Sequence, residues 1–346
     1  MIVDGVAYNI YIHDNALKFS DVVNWEQYSS VFILCDENTK EHCLPKLSIP
    51  VDYHIIEIVS GEMHKNLSTC HLIWSRLIEH GADRKSLMIN LGGGVIGDMG
   101  GFAASTYMRG IDFIQMTTSL LSQVDASIGG KLGIDYMDLK NIIGLFKDPI
   151  MVYINTDFLN TLDKDELKSG YAEIVKHGLI QDNSLWEKIS TINPAEHNDW
   201  IEIIRHAIGI KRDVVKLDPY EKGLRKILNF GHTVGHAIES IFLSKMDPTK
   251  HGFAVIAGII CESHISFQKQ LITEFELDKI VKYLMIHYDK LVLPPAELVF
   301  ENMKSDKKNF SGSVRIASID GIGSCKYDIE CSKEEVIKSL EYYNQL

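Results

Sequence analysis

The stretch SLMINLGGGVIGDMGG, residues 86–101, decides the fold class. SLMINLGG (86–93) reads as a buried strand, and the glycines begin where its apolar run ends. Gly92, Gly94 and Gly97 satisfy the pattern GxGxxG. Without Cβ atoms, backbone in this position can turn tightly and approach a pyrophosphate, and the following helix offers free N–H groups. The same residues would also serve a tight strand-to-helix turn that holds no ligand. The motif lies well inside the chain rather than on a first strand, so a standard Rossmann half is not what the sequence describes.

Working outward, VFILCDE (31–37), YHIIEI (53–58), DFIQMTT (112–118) and MVYINTD (151–157) also read as buried strands. LSTCHLIWSRLIEHG (67–81) lies between two of them with helical spacing. Strands alternating with helices predict a parallel sheet covered by helices. After about residue 162 the pattern changes. Segments 163–180, 199–217, 225–242, 253–271 and 276–291 all repeat apolar residues at helical spacing. A hairpin is predicted from SVRIASI (313–319) and CKYDIE (325–330), then a final helix with Ser332 as N-cap. The expectation is an α/β nucleotide-binding domain over 1–162 and a mostly α-helical domain over 163–346. A cleft between such domains is a common place for an active site.

Composition narrows the function classes. The chain has 346 residues and a formal net charge of −12, which argues against broad nucleic-acid binding. A local cluster of cations can still hold a small anion. The six cysteines are scattered and form no CxxC, so reduced thiols are expected rather than a disulfide framework or structural zinc. MIVDGVAYNIYIHDN does not resemble a signal peptide, and no apolar run reaches membrane-spanning length. A cytoplasmic location with no membrane partner is the expectation.

Two further motifs carry chemistry. VDASIGGKLGIDYMDLKN (124–141) gathers Asp125, Lys131, Lys140 and Asn141 around a second glycine pair, with Arg109 shortly before. Cations beside glycine turns can hold phosphate or carboxylate groups, although a solvated charged loop has the same composition. LNFGHTVGHAIES (228–240) places His232 and His236 on one helical face. HTVGH lacks the glutamate of HExxH, which removes the zinc-protease reading. His251 follows at the start of the next helix, and Glu173 interrupts an apolar helical face. One carboxylate and two histidines with an open position would make a catalytic zinc shell. Spacing alone does not choose which two histidines.

Taken together, GGGVIGDMGGFAASTYMRG, QVDASIGGKLGID…LKNIIG, SGYAEIVKHGLI, LRKILNFGHTVGHAIE and the KHG at 250–252 resemble the 3-dehydroquinate synthases of the sugar-phosphate cyclase superfamily. The likeness runs in order from about Asp36 to the DKK at 306–308. It implies a usually dimeric, cytoplasmic enzyme of the shikimate pathway that uses NAD⁺ and a divalent metal, Zn²⁺ or Co²⁺. Such enzymes convert 3-deoxy-D-arabino-heptulosonate 7-phosphate to 3-dehydroquinate and phosphate. The metal ligands it implies are Glu173, His232 and His251, with His236 facing substrate. NAD would lie along Asp36, Asn38, Glu62, Lys65, Gly93, Gly94, Val95 and Asp98, with Thr118, Ser119 and Lys140 nearby. Substrate would meet Arg109, Asp125, Lys131, Asn141, Lys176, Lys211, Arg225, Asn229, His236 and Lys307 or its neighbour Lys308. Glu221 and His236 match the proton-transfer positions, and Lys131 and Asn229 act beside them.

The implied reaction is transient oxidation, phosphate elimination, re-reduction and aldol closure, with no net use of NAD. The chain departs from the common family pattern at Thr117, Ser119, Leu132, Asp135 and Phe253. None of these is a proposed metal ligand or phosphate-binding cation. The rival readings are a cyclase of valiolone or deoxy-inosose type, an NAD- and metal-dependent polyol dehydrogenase, and a catalytically silent protein on the same scaffold. Retained Lys131 and Asn141 favour dehydroquinate over the first, and the cations Lys176, Lys211 and Arg225 favour a phosphorylated substrate over the second.

Overall fold

In β3 (Val31–Asp36), alternate side chains enter two different cores. Phe32 and Leu34 join one, while Val31, Ile33 and Cys35 join the other. A strand buried on both faces belongs in the middle of a covered parallel sheet, and that is where it lies. The computed structural model describes residues 2–4, 7–13, 18–137, 139–245, 248–304 and 314–346. Its sheet has the order β1-β2-β9-β6-β5-β3-β4. The strands are β1 (Ile2–Asp4), β2 (Asn9–His13), β4 (His54–Ile58), β5 (Leu87–Gly92), β6 (Asp112–Thr117) and β9 (Met151–Asn155), with β3. All neighbours are parallel except β1, which runs antiparallel to β2.

Helices α1 (Phe19–Val22) and α2 (Glu37–His42) accompany one face of the sheet. Helices α3 (Leu67–Glu79) and α4 (Gly94–Thr106) cover the other through Cys70, Ile73, Leu77, Met99 and Phe102. Residues 131–146, whose glycines and charges suggest a loop, form an antiparallel hairpin of β7 (Lys131–Tyr136) and β8 (Leu139–Phe146). Leu132 and Ile134 explain it: they sink into the α4 side of the core. Composition hides a strand whose buried face is only two residues wide.

The chain forms two compact units. The first is 1–163 together with 199–212, and the second is 164–198 together with 213–346. A linear division at 162/163 does not include this return. Lys211 is carried by the returning segment and therefore belongs with the α/β unit.

The second unit is helical: α5 (Lys164–Gln181), α6 (Asn183–Ile189), the end of α7 (Ile201–Leu217), α8 (His232–Ser244), α9 (His251–Gln268), α10 (Glu274–His287), α11 (Ala296–Lys304) and α12 (Lys333–Gln345). The hairpin of β10 (Val314–Ile319) and β11 (Cys325–Cys331) lies in this unit. Helix α9 is its axis, buried nearly all round, with α5, α8, α10 and α12 packed against it. Capping boxes start α10 at Thr273 and α12 at Ser332, each with a glutamate three residues on. The continuous helix predicted over 225–242 is interrupted. A 3-10 turn, Leu224–Asn229, ends before Gly231, whose left-handed backbone (φ +77°) starts α8 anew.

Close backbone approach sets the spacing of α5, α8 and α9. A Cβ on Gly258 of α9 would stand 1.9 Å from the carbonyl oxygen of Gly231. A Cβ on Gly252 would stand 2.2 Å from that of Ser169 on α5. Only glycine permits these contacts. All six cysteines are free thiols, and among the described residues no helix is long and apolar enough to cross a membrane.

Candidate functional site

In the α/β unit, the residues singled out from sequence gather at the carboxyl ends of adjacent parallel strands, where ligands of open α/β sheets bind. Asp36 ends β3, the glycine turn follows β5, Thr118 and Ser119 follow β6, and Glu62 and Lys65 follow β4. Gly93 stands at the N-cap of α4 and supplies no side-chain cap, so the first N–H groups of that helix remain available to an anion. A small cavity there is lined by Gly93, Gly94, Thr117, Ser122, Ala126 and Ser127, among others. A Cβ on Gly93 would come within 3.2 Å of Ser119 Oγ, which explains the bare backbone on that side.

Ion pairs frame this edge. Lys65 is buried and donates to Asp98 Oδ2 and Asn141 Oδ1, both at 2.7 Å. Burial disfavours its ammonium, but the Asp98 and Glu62 carboxylates more than offset that and raise its pKa. Lys140 pairs with Glu62 at 2.8 Å. Val95 lies in the first turn of α4. Asp36 serves as N-cap of α2, accepting from Thr39 N at 2.7 Å, with Asn38 exposed two residues on, in the first turn of that helix. Asp125 lies in a π-helical turn, Ser122–Ala126, and receives Lys211 Nζ at 2.7 Å on Oδ1 and 2.5 Å on its carbonyl.

One expected residue stands apart. Arg109 is exposed beyond the C-terminus of α4. Thirteen residues of helix put it about 20 Å from the glycine turn. The single chain does not bring it to these groups. Lys307, like Lys308, lies outside the described residues. Lys131 is exposed at the start of β7.

In the helical unit, Glu173 of α5 is fully buried. Its Oε1 lies 3.3 Å from His232 Nε2 and 3.2 Å from His251 Nε2, and its other oxygen pairs with Lys176. His232 opens α8, and His251 opens α9. The opposite nitrogen of each ring is also engaged. His232 Nδ1 donates to the Phe230 carbonyl at 3.1 Å, and His251 Nδ1 donates to Glu239 Oε2 at 3.3 Å. Both Nε2 atoms therefore face one carboxylate oxygen, and when neutral they offer it only lone pairs. A proton or a cation must sit between. The donor set of one carboxylate and two imidazoles fits a divalent metal of zinc type.

The electrostatics of this cluster follow from its packing. Burial would raise the Glu173 pKa, yet Lys176 and the two imidazoles hold it well below the usual carboxylate range. Burial and then Lys176 lower that of His232. Burial opposes charge on His251 as well, but Glu239 and Glu173 push it up to about 10. His236 stands one turn beyond His232, with ring centroids 5.0 Å apart. One nitrogen from each of His232, His236 and His251 lies within 4.8 Å of the others.

A second group assembles on the turn before α8. Asn229 Nδ2 donates to Glu221 Oε1 at 2.6 Å. Arg225 is buried and donates to the Pro219 carbonyl at 2.5 Å. Glu221, like Arg109 and Asn141, holds a left-handed backbone (φ between 51° and 71°), a conformation enriched at functional positions.

Three carboxylates escaped the sequence reading. Asp218 accepts from the backbone N–H groups of Lys222, Gly223 and Arg225 and so builds the Glu221–Arg225 turn. Glu262 of α9 accepts from Gly231 N at 2.7 Å and Val234 N at 3.1 Å, capping α8 where the glycine cannot. Glu239 turns His251. The available signal was an acid within a mostly apolar helix, Glu239 seven residues after His232 and Glu262 eleven after His251.

Comparison with known proteins identifies the family. Family models described as 3-dehydroquinate synthase N-terminal and C-terminal match residues 55–169 and 170–309. The 3-dehydroquinate synthase of Parabacteroides distasonis is 38% identical over 335 residues, covering 95% of each chain. Among solved structures, a 2-deoxy-scyllo-inosose synthase in complex with carbaglucose-6-phosphate, NAD⁺ and Co²⁺ superposes with a TM-score of 0.85. It is 24% identical, and the match covers 97% of this chain and 96% of that one. The 2-epi-5-epi-valiolone synthase of Streptomyces hygroscopicus, solved with NAD⁺ and Zn²⁺, gives 0.84 at 22% identity, over 99% and 98% of the two chains. These two show the shared fold. The matched family models and the full-length relative establish that the chain belongs to the 3-dehydroquinate synthase family.

Proposed function

We propose that the chain converts 3-deoxy-D-arabino-heptulosonate 7-phosphate to 3-dehydroquinate and phosphate, as a cytoplasmic homodimer that uses NAD and a divalent metal. The observation that carries this reading is the convergence of Glu173 Oε1 with two imidazole Nε2 atoms, in a chain that also holds a glycine cradle for a nucleotide. Glu173, His232 and His251 would hold the metal, and the α4 N-terminus with Lys65, Glu62 and Asp98 would hold NAD. When bound, the metal acidifies the hydroxyl to be oxidised and NAD⁺ takes up a hydride and returns it. The residues do the remaining work. Lys131, Lys176, Lys211 and Arg225 supply positive charge to seat a phosphate and a carboxylate. Asp125 and Asn141 orient hydroxyl groups, with Lys307 as a further cation on the same substrate, while Arg109, at the far end of α4, takes no part from within the same chain. Glu221, held by Asn229, and His236 move protons.

Purified enzyme given the heptulosonate phosphate is expected to release phosphate, form 3-dehydroquinate and show no net rise in NADH absorbance. A chelator should abolish turnover. Net NADH without phosphate release would instead identify a polyol dehydrogenase, and a different carbocycle would identify another cyclase. Lys131→Ala should slow phosphate release on the order of 10²-fold, in the range for losing one charge-stabilising donor. Metal content should stay at the wild-type level. Metal loss in that variant would remove Lys131 from the substrate role.

A further inference from the structure

Among the carboxylates of the helical unit, Glu239 has no part in the function proposed above. It sits on α8, is only 6% exposed, and its Oε2 lies 3.3 Å from His251 Nδ1. We propose that Glu239 is a positioning residue of the metal centre: it fixes the tautomer and ring orientation of His251 so that Nε2 faces the ion. The inference rests on the assignment of Glu173, His232 and His251 as ligands.

The argument is one of hydrogen-bond chemistry. An ionised carboxylate only accepts, so the nitrogen facing it carries the hydrogen. With Nδ1 protonated, a neutral His251 presents its lone pair at Nε2, the atom 3.2 Å from Glu173 Oε1. His232 receives the same instruction from a different source, the Phe230 carbonyl two residues away. That acceptor belongs to the turn that starts α8, so it comes with the backbone. The acceptor for His251 Nδ1 is instead a side chain, and the two residues lie on different helices. The His251 side chain is also the more exposed of the two imidazoles, 24% against 10%. The ring with more room to turn is the one with the charged partner.

Charge supports the same role. Glu173 and Glu239 bring two negative charges, and Lys176 one positive, to the surroundings of the two imidazoles. A carboxylate on Nδ1 makes Nε2 a stronger donor to a cation.

The test is metal binding by the full-length chain. Wild type, Glu239→Ala, Glu239→Gln and His251→Ala would be stripped of metal and titrated with Zn²⁺ against a chromophoric chelator, then with Co²⁺ for its visible spectrum. Glu239→Ala is expected to weaken Zn²⁺ binding by about 10–100-fold and to shift the Co²⁺ absorption, because His251 is free to rotate. Glu239→Gln keeps an oxygen for Nδ1–H but no charge. It should leave the Co²⁺ band position in place and weaken Zn²⁺ binding by a smaller factor, at least ~3-fold. Wild-type affinity and spectrum in a folded Glu239→Ala overturn the proposal. If that variant does not fold, wild-type affinity in Glu239→Gln overturns it instead. Failure of the ligand assignment looks different: wild type would bind no ion, or His251→Ala would bind as wild type does.

Discussion

His232→Ala is expected to lose its divalent metal on purification, while His236→Ala keeps it. The two rings are one helical turn apart and both lie near His251, so proximity does not separate them. The partners do. His232 has Nδ1 on the Phe230 carbonyl and Nε2 facing the buried Glu173. Four ligands typically share about 10–16 kcal/mol of zinc affinity, so one imidazole is worth roughly 3 kcal/mol, or about 10²-fold in dissociation constant. The truncation also leaves Glu173, with no exposed surface, without one of the two rings that face its Oε1. Turnover should fall with the metal. His236→Ala should change the metal dissociation constant by less than ~10-fold yet lose most activity, as expected of a group that moves protons. Competition with a chelator, followed by metal analysis of each variant, measures both effects. The reverse pattern, with His236 required and His232 dispensable for metal, would replace the ligand set by one built on His236.

Gly258→Ala should be the most damaging conservative change in the helical unit. Its Cβ would stand 1.9 Å from the Gly231 carbonyl oxygen and 2.8 Å from Gly235 N, both backbone atoms that cannot step aside alone. Helices α8 and α9 must separate. Overpacking of this kind costs about 1–3 kcal/mol and occasionally more. Here the separation also pulls His232 away from His251 and lengthens the bonds from Glu262 to the start of α8. A lower denaturant midpoint and weaker metal binding should therefore appear together. Gly209→Ala is the matched control. It lies within α7, with nothing within 4 Å of its would-be Cβ, and should be neutral or stabilising by up to about 1 kcal/mol. Equal midpoints for the two variants would show that the α8–α9 contact is not tight.

The sequence alone determined the order of events along the chain. Apolar runs broken by glycine turns specified a parallel α/β half, because a strand buried on both faces has no polar register to keep. Helical spacing after residue 162 specified the second half. The Glu173, His232 and His251 set was legible through the family motifs, and chemistry made it plausible, since few other residue types bind a borderline-soft cation. Tertiary structure decided what spacing leaves open. It broke the helix at Gly231, so that His232 opens α8 instead of lying within a longer one. It returned Lys211 to the α/β unit and left Arg109 at the far end of α4. It brought Glu239 and Glu262 to their partners, which lie 12 and 28–31 residues away. The reason is common to all of these: periodicity reports which face of an element is buried, while a hydrogen bond or a backbone contact depends on which other element that face meets.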